Sequence, residues 1–143
     1  MKALKVLMIT ALLCGNAWAV GLDKNDAGEY VLLNQNQQPT STFQRYYLQE
    51  NQWVMDGKLG NQAWKSVCNG QGEYRLQDSS TKQMSQWKAL LPQSLQAMPM
   101  ACINNITFAF CRISNPKNAN QRLYWWFAWQ NGQTYALGLN RIR

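Results

Sequence analysis

Arg122-Leu123-Tyr124-Trp125-Trp126-Phe127-Ala128-Trp129-Gln130-Asn131-Gly132-Gln133-Thr134-Tyr135-Ala136-Leu137-Gly138-Leu139 reads as two β-strands joined by a tight turn. Aromatic residues favour strands, and Asn-Gly supplies the two positive-φ positions that a two-residue hairpin needs. The strands are expected over 123–129 and 134–139. Strand alternation sends Tyr124 and Trp126 to one face and Trp125, Phe127 and Trp129 to the other. A strand apolar on both faces either lies inside a sheet covered on both sides or leaves a large exposed apolar patch. One of the two aromatic sets is therefore expected in the core. The other either packs beneath a helix or forms a binding surface flanked by Arg112, Arg122 and Arg141.

The residues upstream follow the same pattern. Residues 102–111 read as one central strand, with Ile106, Phe108 and Phe110 on one face and Thr107, Ala109 and Cys111 on the other. Asn115-Pro116 marks the loop that follows. The one good helix spans 80–91: Ser80 and Gln83 form a capping box, Met84, Trp87 and Leu91 share a face at helical spacing, and Pro92 stops it. Before it, short β-type runs at 29–33, 42–49, 52–55, 63–68 and 73–76 are separated by a polar loop at 34–38 and by Glu50-Asn51, Asp56-Gly57 and Asn69-Gly70, which gives an antiparallel meander. The expected fold is α+β: a mainly antiparallel sheet of about seven to eight short strands packed with one main α-helix.

The first 19 residues read as a secretory signal peptide. Lys2 and Lys5 form a positive start, residues 6–13 an apolar run broken only by Thr10, and Ala17-Trp18-Ala19 a small-x-small cleavage site. The run is about half the length that spans a bilayer. Cys14 ends it, but Leu13 precedes that cysteine where a lipidation signal places a small residue. The expectation is cleavage after Ala19, a single compact α+β domain over 20–143, and a periplasmic location, with full secretion as second choice.

Cleavage removes Lys2 and Lys5 and takes the net charge from +7 to +5. All seven acidic residues lie at or before Asp78. Beyond it come Lys82, Lys88, Arg112, Lys117, Arg122, Arg141 and Arg143 with no counter-charge, which favours an acidic or neutral partner face. Cleavage also removes Cys14 and leaves Cys68, Cys102 and Cys111. If 102–111 is one strand, its two cysteines stand about 30 Å apart, out of bonding reach. The expected disulfide is then Cys68–Cys102, with Cys111 as the alternative partner of Cys68.

The chain has no histidine. This removes the commonest general base, the triads that depend on it and the usual zinc ligand. Glu50, Asp56, Glu73 and Asp78 are candidates for a carboxylate pair, but Asp56 fits the Asp-Gly turn and Asp78 lies just ahead of a helix. Asn69-Gly70-Gln71-Gly72 lacks the lysine and following helix of a phosphate loop, and Asn105-Ile106-Thr107 is a glycosylation sequon that matches by chance. No enzyme activity, cofactor or metal is expected. Tryptophan, tyrosine and arginine are the usual anchors of protein interfaces, so Arg112, Arg122, Tyr124, Trp125, Trp126, Trp129 and Arg141 are the expected partner-binding residues. The function expected first is a periplasmic inhibitor or immunity protein that blocks a toxin or cell-wall hydrolase. The alternatives are an envelope module that binds peptidoglycan, other glycans or nucleic acid, and an accessory subunit of an envelope or secretion complex.

Overall fold

A computed structural model describes residues 21–143. The proposed signal peptide, its cleavage site and Cys14 lie outside the described residues. Nine strands form one antiparallel sheet: β1 (Gly28–Leu33), β2 (Pro39–Gln49), β3 (Gln52–Leu59), β4 (Lys65–Cys68), β5 (Gln77–Asp78), β6 (Met100–Asn104), β7 (Phe108–Asn115), β8 (Asn118–Gln130) and β9 (Gln133–Arg141). Their spatial order is β4-β3-β2-β1-β9-β8-β7-β6-β5. Two meanders, β1–β4 and β5–β9, are thus joined side by side through β1 and β9, and the sheet curls into a half-barrel. One helix, α1 (Thr81–Lys88), lies between β5 and β6. Among the described residues, no helix is long and apolar enough to cross a membrane.

The two expected hairpin turns form. Asn131 and Gly132 both take positive φ, and so do Glu50 and Asn51, which matches the right-handed twist of the strands they join. Ser80 and Gln83 cap α1 reciprocally, at 3.1 and 2.9 Å. The helix is shorter than expected: it ends at the Ala89 cap, and Leu90 and Leu91 follow in tighter turns that still bury Leu91.

The aromatic alternation of β8 is resolved by core on both sides. Tyr124 and Trp126 point into the curl with Tyr30, Tyr46, Met55, Ile103, Phe108 and Phe110. Trp125, Phe127 and Trp129 point outward and lie beneath Trp87, Leu91 and Leu95. Trp87 stacks on Phe127 at 5.8 Å and on Trp129 at 5.6 Å. Burying one such side chain contributes about 1.5–3 kcal/mol, so the helical segment is held by its aromatic face.

Four expectations are corrected. Residues 102–111 are two strands, because Asn105 turns the chain: its Oδ1 accepts from the backbone N–H groups of Thr107 and Phe108 at 2.8 and 2.9 Å. Ile106 therefore sits exposed at a turn instead of on a strand face. The fold back places Cys102 directly opposite Cys111, Cα to Cα 4.1 Å, and these two form the disulfide. The expected Cys68–Cys102 pairing, and its Cys68–Cys111 alternative, are overturned, and Cys68 is a buried free thiol. Asp56-Gly57 is not a turn: β3 runs through it, with Asp56 opposite Arg45 and Gly57 opposite Gln44. The strand expected at 73–76 does not form, because the chain turns there. The count is nine because the Asn105 turn divides one expected strand and the short edge Gln77–Asp78 stands in place of 73–76.

Candidate functional site

The expected partner-binding residues are mostly engaged inside the molecule. Trp125 is buried under the helical segment, and Tyr124 is buried in the curl. Trp126 is half-buried there, and its Nε1 has no partner among the described residues. Trp129 is half-buried, with Nε1 donating to the Ile106 carbonyl at 2.5 Å.

The arginines secure the N-terminal segment. Asp26, fully buried, accepts from Arg112 Nη1 at 2.6 Å and Arg122 Nη1 at 3.1 Å. The Tyr124 hydroxyl donates to the same carboxylate at 2.9 Å, as does the Asp23 backbone N–H. Arg141 donates to the carbonyls of Asn25 and Ala27 at 2.8 and 2.6 Å. Gly28 permits this crossing, because a Cβ there would lie 2.5 Å from the Arg143 carbonyl oxygen. Burial pushes the Tyr124 phenol up, and Asp26 adds to the shift. At Arg122 burial opposes the charge, but Tyr124 and Asp26 outweigh it and hold the guanidinium above its ordinary value. The counter-charge absent from the C-terminal half thus arrives from the other end of the chain.

A different surface carries half-buried aromatic and cationic groups. The helical segment covers the outer face of β6–β9. On the outer face of β2 and β3, strand register pairs Phe43 with Lys58, Arg45 with Asp56 and Tyr47 with Val54. Arg45 Nε donates to Asp56 Oδ2 at 2.7 Å. Its guanidinium carbon lies 4.6 Å from the centre of the Trp64 ring and 5.8 Å from that of Tyr47. Lys58 Nζ lies 4.9 Å from Trp64 and 5.4 Å from Phe43. The residues alternate because β2 reads Phe43, Arg45, Tyr47 at period two, and Trp64 folds over them from the β3–β4 connection. Burial pushes the Tyr47 phenol up, helped by the nearby Asp56 carboxylate.

Each cation over an aromatic face contributes about 0.5–1 kcal/mol at an exposed site, which pre-orders these long side chains for contact. Asp56 and Arg45 neutralise one another, so the positive charge presented outward is that of Lys58 and the exposed Lys65. Sequence reading missed this face because its residues are spread over 43–65. The available signal was the period-two Phe-x-Arg-x-Tyr of β2. Among the described residues, no three His, Cys, Asp or Glu side chains are grouped to hold a metal ion.

The molecule is a disulfide-linked, curved antiparallel sheet whose outer face is covered by the helical segment on one flank only. No protein family, curated protein or solved structure matches the chain.

Proposed function

We propose that the protein is an exported, non-catalytic binding protein that holds and blocks a protein partner through the outer face of β2–β4, as a periplasmic inhibitor or immunity protein does. One observation carries this reading: a half-exposed tryptophan, Trp64, with two cations at 4.6 and 4.9 Å on a flank that the helical segment leaves bare. Tryptophan and arginine dominate interface hot spots, and the outward positive charge selects a partner with an acidic face.

The test is capture of a stable partner from envelope extracts or from competitor effectors, followed by binding measurements on variants. Trp64→Ala is expected to weaken the complex by about 30-fold or more, the effect of losing a hot spot of about 2 kcal/mol. Lys58→Glu with Lys65→Glu weakens it further. Lys82→Glu with Lys88→Glu, on the helix, leaves it intact. Absence of a stable partner, or equal retention by all variants, overturns the proposal.

A further inference from the structure

The two ends of the sheet, β4 and β5, are not paired with each other. Residues 69–76 bridge them, tied down by Asn105, whose Nδ2 donates to the Tyr74 carbonyl at 3.0 Å and lies 3.2 Å from Cys68 Sγ. Along this seam run two clefts that share Arg75, Gln77 and Asp78. The larger, of about 450 Å³, is walled by Trp129, Ile106, Gln83 and Asn104. The smaller, of about 350 Å³, is walled by Trp53, Leu48, Asn51 and Gln52. The larger cleft sets the half-buried indole of Trp129 and Ile106 beside four planar amides, and the smaller sets three leucines beside three amides, with Trp53, 7% exposed, giving only a small part of its surface to the wall.

The geometry points to this seam as a binding groove for a short neutral oligosaccharide. A sugar ring has an apolar C–H face and a rim of hydroxyls that both donate and accept. Indole and aliphatic walls suit the first, and primary amides, which carry both donors and acceptors, suit the second. Asn104 is already oriented, accepting from Ser79 Oγ at 2.6 Å and donating to the Asn105 carbonyl at 3.1 Å, and its second N–H has no partner among the described residues. Trp129 is fixed by its bond to Ile106 and by its stack on Trp87, so little freedom is lost on binding.

Charge narrows the ligand class. The ionised groups along the seam are Glu73, Asp78 and Arg75, a net negative set in a basic chain. Phosphates, nucleic acid and acidic glycans are disfavoured there. Both volumes fall within the range of about 300–1,000 Å³ typical of small-molecule sites. The shared ridge between them fits an oligomer better than a single ring.

The probes are triacetylchitotriose and maltotriose, titrated against the purified protein while the indole N–H resonances are followed. Support is a saturable shift of the Trp129 or Trp53 resonance, with a Kd on the order of 1 mM or tighter. Arg75→Ala, at an exposed position, is expected to weaken binding about tenfold, the loss of one charge-assisted hydrogen bond, with the urea midpoint unchanged. No saturable shift with either sugar, a shift indifferent to Arg75→Ala, or one confined to Trp64 overturns the proposal. The groove shares no residue with the Phe43–Arg45–Trp64 cluster, so this result and the partner test succeed or fail separately.

Discussion

Replacing Asp26 by asparagine keeps the shape of the side chain and removes one charge from a site with no exposure. The carboxylate accepts from four donors: Arg112, Arg122, the Tyr124 hydroxyl and the Asp23 N–H. An amide satisfies the two donors at one oxygen and turns its NH₂ toward the other two, whichever way it is set. Breaking a buried ion pair costs about 3–5 kcal/mol. The Arg112 and Arg122 side chains are 14% and 28% exposed, so water takes up part of the loss, and the lower end, about 3 kcal/mol, is the expected value. That is a large share of the roughly 5–15 kcal/mol that stabilises a domain. Asp56→Asn is the comparison: Asp56 is 7% exposed but has a single ion-pair partner, Arg45, which is 35% exposed, so the cost there is smaller, about 1–2 kcal/mol. Urea unfolding followed by tryptophan fluorescence reads both, at constant m-value. Protease should also trim residues 21–27 of Asp26→Asn faster than those of the unaltered protein. A loss below about 1 kcal/mol for Asp26→Asn, or equal losses for the two variants, would refute the assignment of Asp26 as the anchor of the N-terminal segment.

Three further outcomes follow from the core. Burial pushes the phenols of Tyr30, Tyr46 and Tyr124 above their ordinary value. The unfolded chain releases those protons first, so their contribution is complete below about pH 10 and is lost as pH rises beyond it; phenolate absorbance and loss of near-ultraviolet circular dichroism should rise together, and separate transitions would contradict the burial. The Cys102–Cys111 bond closes a short loop, with a sequence separation of 9, and the double replacement by alanine should cost about 2–3 kcal/mol in urea unfolding; no change would show that the bond does not form. The Cys68 thiol is buried and pushed up by that burial, although Asn105 partly opposes the shift. It should resist alkylation in native buffer and react at once in denaturant, and rapid native labelling would show that the curl opens at β4.

Local features of the fold were legible in the sequence, and long-range ones were not. Asn131-Gly132 and the Ser80–Gln83 box fix their elements through contacts three residues apart or fewer. The aromatic run of β8 also announced a strand with two apolar faces. Asn105 misled because its side chain competes with the strand ladder by bonding backbone N–H groups two and three residues on, inside a run whose alternation looked continuous. One turn missed there changed the disulfide as well. The arginines misled for the opposite reason. Arg112 and Arg122 find their counter-charge 86 and 96 residues away, and no local pattern records such a partner. Asp56-Gly57 carries the composition of a turn, but a cross-strand arginine compensates the carboxylate and keeps it within β3.

The pairing of β1 with β9 has a temporal consequence. The Arg143 carbonyl accepts from the Glu29 N–H at 3.1 Å, and the Ile142 N–H donates back to the Glu29 carbonyl at 2.8 Å. A chain that emerges N-terminus first from a ribosome exposes one edge of the β1–β4 meander until β9 follows. Closure therefore waits for β9, with a loop of more than a hundred residues to bring together and a correspondingly slow search. Afterwards β1 and β9 hold one another in place, with Gly28 leaving room for the Arg143 carbonyl.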